Sequence, residues 1–387
     1  MSISSTRSSI LITILLTLVS GCTSDSGAPG ASVADGQWHV ASEPTIRIGA
    51  EGLPEAEFSR IVGLATSTSG DIVVADGGSS ELRVFSPRGN FLRKLSRSGS
   101  GPAEMQMISW FGHAGDSLYV TDGISGTVST FTTNDGFVSR DRFRGALPGV
   151  RARLASGSFV VQPSVMRRMN VRMDQVSRDT VRIGLISDPA RADSVKWLGG
   201  FPGNSFFGYR HSQTPDGVAG GFYTLGPQFV VGASGDRVWI GDSARDTIAI
   251  FDGGGELVAQ AVWPDPPEPW DSAKIDQAMQ TALSQADMPD QQTSVRTLYD
   301  ASLRPPRQPL FTSFLAGPDG EMWVQRFRLG DDEPRSFVVF DSSGVVIGRL
   351  SLSAGLEPKE IGRDFVLGIT RSDLGVESVV RYSLQRP

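Results

Sequence analysis

The chain has 387 residues, 39% of them hydrophobic, with 45 Gly, 23 Pro, a single cysteine and a formal net charge of -6. An acidic body lacks the positive field that phosphate binding needs, so nucleic acid is not expected as a partner. With one cysteine no internal disulfide can form, and the fold must stand on packing alone.

The first element is a leader. Arg7 precedes an apolar run from Ile10 to Val19, too short to span a bilayer, which takes about 20 apolar residues. It closes on Leu18-Val19-Ser20-Gly21-Cys22, which resembles the bacterial lipobox. The resemblance implies cleavage after Gly21, a diacylglyceryl thioether on Cys22 and acylation of the new amine. Residues 1–21 are therefore read as a lipoprotein signal peptide. Residues 22–37, rich in Ser, Gly and Ala, are read as a flexible tether with a reach of roughly 20 Å. The expected location is extracytoplasmic, with Cys22 as the lipidated membrane anchor. In a cell with two membranes, Thr23 after the cysteine resembles an outer-membrane sorting signal.

From residue 38 onward one pattern returns six times: a turn glycine, an aliphatic strand, a gap, a strand ending in an aromatic, and another turn. Gly70 to Asp76 with Leu82 to Phe85 is the first copy, and Gly115 to Asp122 with Val128 to Phe131 the second. The third is looser, Gly157 to Val161 with Val181 to Leu185. Gly235 to Asp242 with Ile248 to Phe251, Gly320 to Val324 with Phe337 to Phe340, and Phe365 to Ile369 with Val379 to Tyr382 complete the set. Strands apolar at every position need cover on both faces, as in the inner strands of a propeller blade. The last copy ends at Pro387 one strand short, and Pro44 to Gly49 reads as an orphan outer strand that would seal the ring. The expected fold is all-β: a six-bladed β-propeller over 38–387, closed by an N-terminal strand. A β-sandwich or two separate β domains is the structural alternative.

These paired units, the turn Gly99-Ser100-Gly101-Pro102-Ala103-Glu104-Met105, and the closing stretches Asp364 to Ile369 and Leu374 to Glu377 resemble a known group. It is the bacterial six-bladed propeller lipoproteins related to NHL-repeat propellers. The resemblance implies a fold more than an activity, since the group is largely of unknown function.

The short turns, around Ser69-Gly70 and Arg88-Gly89, fall on one face. The long excursions, Gln162 to Thr180, Gly199 to Pro227 and Pro264 to Pro309, fall on the other, which is where a rigid scaffold carries its binding surface. A small helical insertion is expected at about 264–306. Asp271 or Ser272 would cap its first helix, Ile275, Met279 and Leu283 would form its buried stripe, and Pro289 would end it. The candidate ligand-binding aromatics on this face are Phe207, Tyr209, Tyr223 and Trp270. The candidate arginines are Arg167, Arg168, Arg210 and Arg326. Aromatics with Arg suit sugars, peptides or anions, and aromatics that pin their own loops down give the same pattern.

No catalytic residue and no metal site is identified. His39, His113 and His211 are not at metal-ligand spacing, and there is no nucleophile elbow or P-loop. Asp76, Asp122 and Asp242 recur at the same place in their units, as turn caps do. No cofactor is assigned. Ca²⁺ enters only with the enzyme alternative, since lactonase propellers hold it with channel carboxylates. The leading expectation is a lipid-anchored envelope module that binds a protein, peptide or glycan. Its alternative is an extracytoplasmic Ca²⁺-dependent lactonase-type hydrolase or a lyase.

Overall fold

A computed structural model describes residues 36–49, 53–143, 148–163, 172–173, 175–191, 195–214 and 217–387. Cys22, Arg167 and Arg168 lie outside the described residues. The described chain is all-β apart from two α-helices and one short 3-10 turn.

Its strands gather into six antiparallel sheets of four or five strands and one small two-stranded ribbon. The first sheet runs Ile61–Thr66, Ile72–Asp76, Glu81–Phe85 and Phe91–Lys94. The second, fourth and fifth repeat that order from Ile108–Ala114, Phe229–Ser234 and Phe311–Ala316. The sixth has Glu357–Ile361, Phe365–Arg371 and Glu377–Gln385. Two short N-terminal strands, His39–Val40 and Ile46–Ile48, pair with its last strand, placing Ile46 opposite Arg381 and Ile48 opposite Val379.

The burial of each strand follows its rank in the sheet. Ile72–Asp76 is buried at every position, whereas Phe91–Lys94 and Leu257–Val262 are largely exposed. An inner strand lies between two neighbouring sheets, so both faces must be apolar. An outer strand is half wet and tolerates charge. The first strand of each sheet touches that of the next, and the sixth returns to the first. The core is divided accordingly into one apolar seam between each neighbouring pair of sheets. Trp239 and Trp323, fully buried in two of these seams, remove roughly 150–250 Å² each from water, the upper range for any side chain. This ring of radially packed sheets is a propeller-type arrangement.

The seams leave little room at the turns. Gly344, at φ +89, lies in the turn before the outer strand of the fifth sheet. A Cβ there would stand 3.0 Å from the Ala261 Cα of the fourth sheet, so only glycine fits. Asp76, Asp122 and Asp242 each accept a hydrogen bond from the backbone N–H two residues on, at 3.0, 2.9 and 3.2 Å. That is the local capping geometry their repeated position suggests.

The third sheet corrects the sequence reading. Gly199 to Pro227 is not a connecting excursion: Val195–Arg210 is a 16-residue strand and Val218–Phe222 a fifth strand beside it. The third strand, Val176–Ile186, also starts earlier than Val181. Glycines and aromatics interrupt the alternation over 199–208, so the segment carries neither a strand nor a helix period. Pro289 is the second correction. Helix α1, Ser272–Ser284, ends before it, and Pro289 opens helix α2, Pro289–Leu298. Proline suits a first helical position because the N–H it lacks would have no partner there. Asp271 is the cap of α1, accepting from Ala273 N–H at 2.9 Å and Lys274 N–H at 3.2 Å.

Candidate functional site

The fourth strand of sheet three, paired with the start of the third, meets α2 on the long-loop face. Phe207, Tyr223 and Leu225 are buried where they meet, with Tyr209, Trp270, Leu298, Tyr299, Phe327 and Leu329 packed around them. Phe207 is 2% and Tyr223 0% exposed. Two of the candidate ligand-binding aromatics are thus spent on packing, which corrects their expected presentation to a ligand. Such loops must bury apolar surface of their own to hold one shape. Burial pushes the Tyr223 phenol up to about 12.

The other candidates support the same superstructure. Tyr209 stacks on Phe207 at 5.6 Å. Trp270 donates its indole N–H to the Pro305 carbonyl at 2.7 Å and meets Phe327 edge-on at 5.8 Å. Arg326 pairs with Glu268 at 2.6 Å and with Asp265, which Arg349 also holds at 2.8 and 3.0 Å. Burial alone would raise the Asp265 carboxyl, but the Arg349 hydrogen bond and the charges of Arg326 and Arg349 hold it below the usual carboxylate range. Among the described candidates only Arg210 is openly exposed, at the end of its strand. At the hairpin tip, Ser212 Oγ donates to Asp290 of α2 at 2.5 Å, and that bond chiefly holds the Asp290 carboxyl low.

This scaffold mounts a cleft of about 600 Å³ between α1 and residues 329–334, the loop joining the second and third strands of sheet five. Its α1 wall carries Gln277, Thr281 and Gln285, its loop wall Asp331, Asp332 and Glu333, and Tyr299 lies between them. Burial raises the Tyr299 phenol, and the Asp331 charge adds to it. Lys274 bridges the walls to Glu333 at 2.8 Å. Sequence reasoning missed this cleft. The spacing of four from Gln277 to Gln285 was legible as one helix stripe, but its facing wall is far along the chain, Asp332 being 55 positions from Gln277.

A second group lies at the opposite, short-turn end of the ring. Glu360 and Thr66 come from the innermost strands of sheets six and one, and Thr66 Oγ1 donates to Glu360 at 2.9 Å. His113, from the innermost strand of sheet two, places Nε2 at 3.8 Å from the other carboxylate oxygen. Sheets two and six each adjoin sheet one and not one another, so these side chains meet past its innermost strand, on the channel side. Burial raises the Glu360 carboxyl, against the opposing charge of His113 and the Thr66 hydrogen bonds. Among the described residues, no group of three or more His, Cys, Asp or Glu is placed to hold a metal ion.

One consequence is local. Trp270→Ala should loosen the helical insertion without melting the ring. Proteolysis within 271–300 should rise about tenfold while the main unfolding transition moves by less than about 1 kcal/mol, because the insertion opens as its own unit. Loss of both together would show that the insertion belongs to the ring's core.

The fold and these two groups define an all-β protein of propeller type with a loop-built cleft on one face. No family model matches the chain, and no curated protein matches it. Solved structures do. One is a Bacteroides vulgatus member of the DUF4221 family, at TM-score 0.54 and 8% identity over 91% of this chain and 99% of that one. Another, from Bacteroides fragilis and described as exported, has TM-score 0.50 and 12% identity over 92% and 97%. Virginiamycin B lyase from Staphylococcus aureus is similar at TM-score 0.42 and 11% identity over 90% and 99%. Likeness at these identities extends to the fold alone. Among the described residues no helix is long and apolar enough to cross a membrane.

Proposed function

We propose that this chain is a lipid-anchored, extracytoplasmic binding module. It is a six-bladed propeller sealed by Ile46–Ile48, and its loop-rich face engages an envelope protein, peptide or glycan. The observation that carries the reading is the superstructure on that face. An aromatic cluster of its own, the Lys274–Glu333 ion pair of α1 and the Ser212–Asp290 hydrogen bond of α2 hold an open cleft in a fixed shape, more than capping a ring requires. The six seams support the blade count, and the antiparallel pairing of Ile46–Ile48 with the last strand supports the closure. Gly36 packs against Pro387, at the short-turn end of the last strand, so the chain enters the ring away from the loop-rich face. The lipobox at Cys22 supplies the anchor in this reading, and two or more acyl chains make such an anchor stable.

Cys22→Ser should move the protein from the membrane fraction to the soluble fraction. Retention in membranes washed with high salt and alkali would sink the anchor. Photo-crosslinkers placed on the loop-rich face, at Gln285, and on the short-turn face, at Arg88, should capture an envelope component from the first position only. Capture from the second alone would reverse the choice of face.

The channel pair favours a second reading, an extracytoplasmic hydrolase or lyase, with Ca²⁺ as the cofactor of the lactonase-type version. A raised carboxyl beside an imidazole is suited to proton transfer. It predicts turnover that Glu360→Gln abolishes, whereas a binding module has none to lose.

A further inference from the structure

We propose that the cleft between α1 and residues 329–334 takes an oligosaccharide, neutral or N-acetylated. This rests on the loop-rich face being the working face. The cleft adjoins a second of about 420 Å³, and Lys274, Leu329, Glu333 and Pro334 line both. Each is in the range of roughly 300–1,000 Å³ typical of small-molecule sites, and together they make an elongated trough suited to more than one ring.

The chemistry of the walls selects the ligand. Gln277 and Thr281 on α1 and Gln285, its C-cap, stand at intervals of four on one stripe, with only the small Ala278 and Ala282 between them. Amides and hydroxyls both donate and accept, while the carboxylates of the facing loop accept. Vicinal sugar hydroxyls, each a donor and an acceptor, match that pair of walls. Tyr299 supplies the aromatic surface on which the C–H face of a sugar ring can lie.

Other ligand classes fit less well. Two ion pairs line the trough, Lys274 with Glu333 at 2.8 Å and Arg328 with Asp331 at 2.7 Å, so a strongly charged ligand would have to break these pairs. The carboxylate wall repels phosphate. A peptide is recognised by an open strand edge or an apolar groove. Here one wall is a helix whose backbone bonds are internal, and its face carries no large apolar side chain.

The test is calorimetric titration of the full chain with chitotriose, cellotriose and maltotriose. At least one should bind with Kd below about 1 mM. Gln277→Ala and Asp332→Ala should each weaken that binding at least tenfold with an unchanged Tm, while Arg88→Ala, exposed at the other end of the ring, leaves it alone. No binding by any of the three, or binding indifferent to both cleft variants, overturns the inference. Crosslinks from Gln285 to an envelope component without trisaccharide binding would overturn the ligand class and leave the working face standing. Loss of those crosslinks would remove the face as well.

Discussion

Arg83→Ala should lower the stability of the folded chain by about 3–5 kcal/mol, the cost of breaking a buried ion pair from one side. Arg83 is 4% exposed and Asp76 1%, and Nη2 reaches the Asp76 carboxylate at 3.3 Å. The same guanidinium donates to Glu81 at 2.8 Å and to the Pro54, Glu55 and Glu57 carbonyls at 3.3, 3.2 and 2.6 Å. It thereby ties the turn Pro54–Ala56, the last segment before the first sheet, to that sheet's third strand. Truncation removes the counter-charge of the buried Asp76 carboxylate, which keeps its bonds from Arg60, Gly78 and Ser79, and takes one donor from each of three carbonyls. In urea unfolding the midpoint should fall with little change in slope. The thermal midpoint should drop by roughly 5 °C, given the unfolding entropy of a chain this long.

The pairing can be separated from the packing. Arg83→Met with Asp76→Asn keeps most of the volume and the carbonyl oxygen that caps Gly78 N–H, and it removes the unpaired charge. It should recover a measurable part of the loss. A drop below about 1 kcal/mol for Arg83→Ala would show that water replaces the guanidinium freely and that this seam is wetter than its burial implies.

How much of this was legible beforehand depends on the range of each signal. Ile72 to Ala75 and Val238 to Ile240 declare themselves because an all-apolar run has one economical place in a sheet protein. Asp76, Asp122 and Asp242 declare themselves because their bonds close within two residues. The helix start at Asp271 is local in the same way. Sheet three was misread because Val195–Arg210 runs sixteen residues through glycines and aromatics, and only its pairing with Val176–Ile186 and Val218–Phe222 defines it as a strand. The burial of two candidate site residues was hidden for a related reason. Phe207 and Tyr223 look like ligand contacts until α2 is laid over them. Glu360 and His113 are 247 positions apart and acquire meaning only when the ring brings their strands to one axis. No local pattern marks either residue.

Glu360→Gln should make the chain more stable at neutral and alkaline pH and abolish a slope present in the wild type. Glu360 has 11% of its side chain exposed, and burial holds its carboxyl above the ordinary glutamate value of 4.5. The folded state therefore keeps a proton that the unfolded chain releases. The sign follows from linkage: over the interval above 4.5 the folded state binds more protons, so stability falls as pH rises. The stabilising contribution is complete below the unfolded value and is lost as pH passes through the folded one, at up to about 1.4 kcal/mol per pH unit for one proton. The groups facing the carboxyl set the size of that loss. Thr66 donates to it, and the charges of His113 and Arg381 favour ionisation. His113→Ala should accordingly enlarge the loss, while glutamine keeps the Thr66 hydrogen bond and has no charge to bury. Denaturant midpoints between pH 4 and 9 would show the two variants diverging from the wild type in opposite directions. Parallel curves for all three would mean that solvent reaches Glu360 freely and that the axis of the ring is open water at this end.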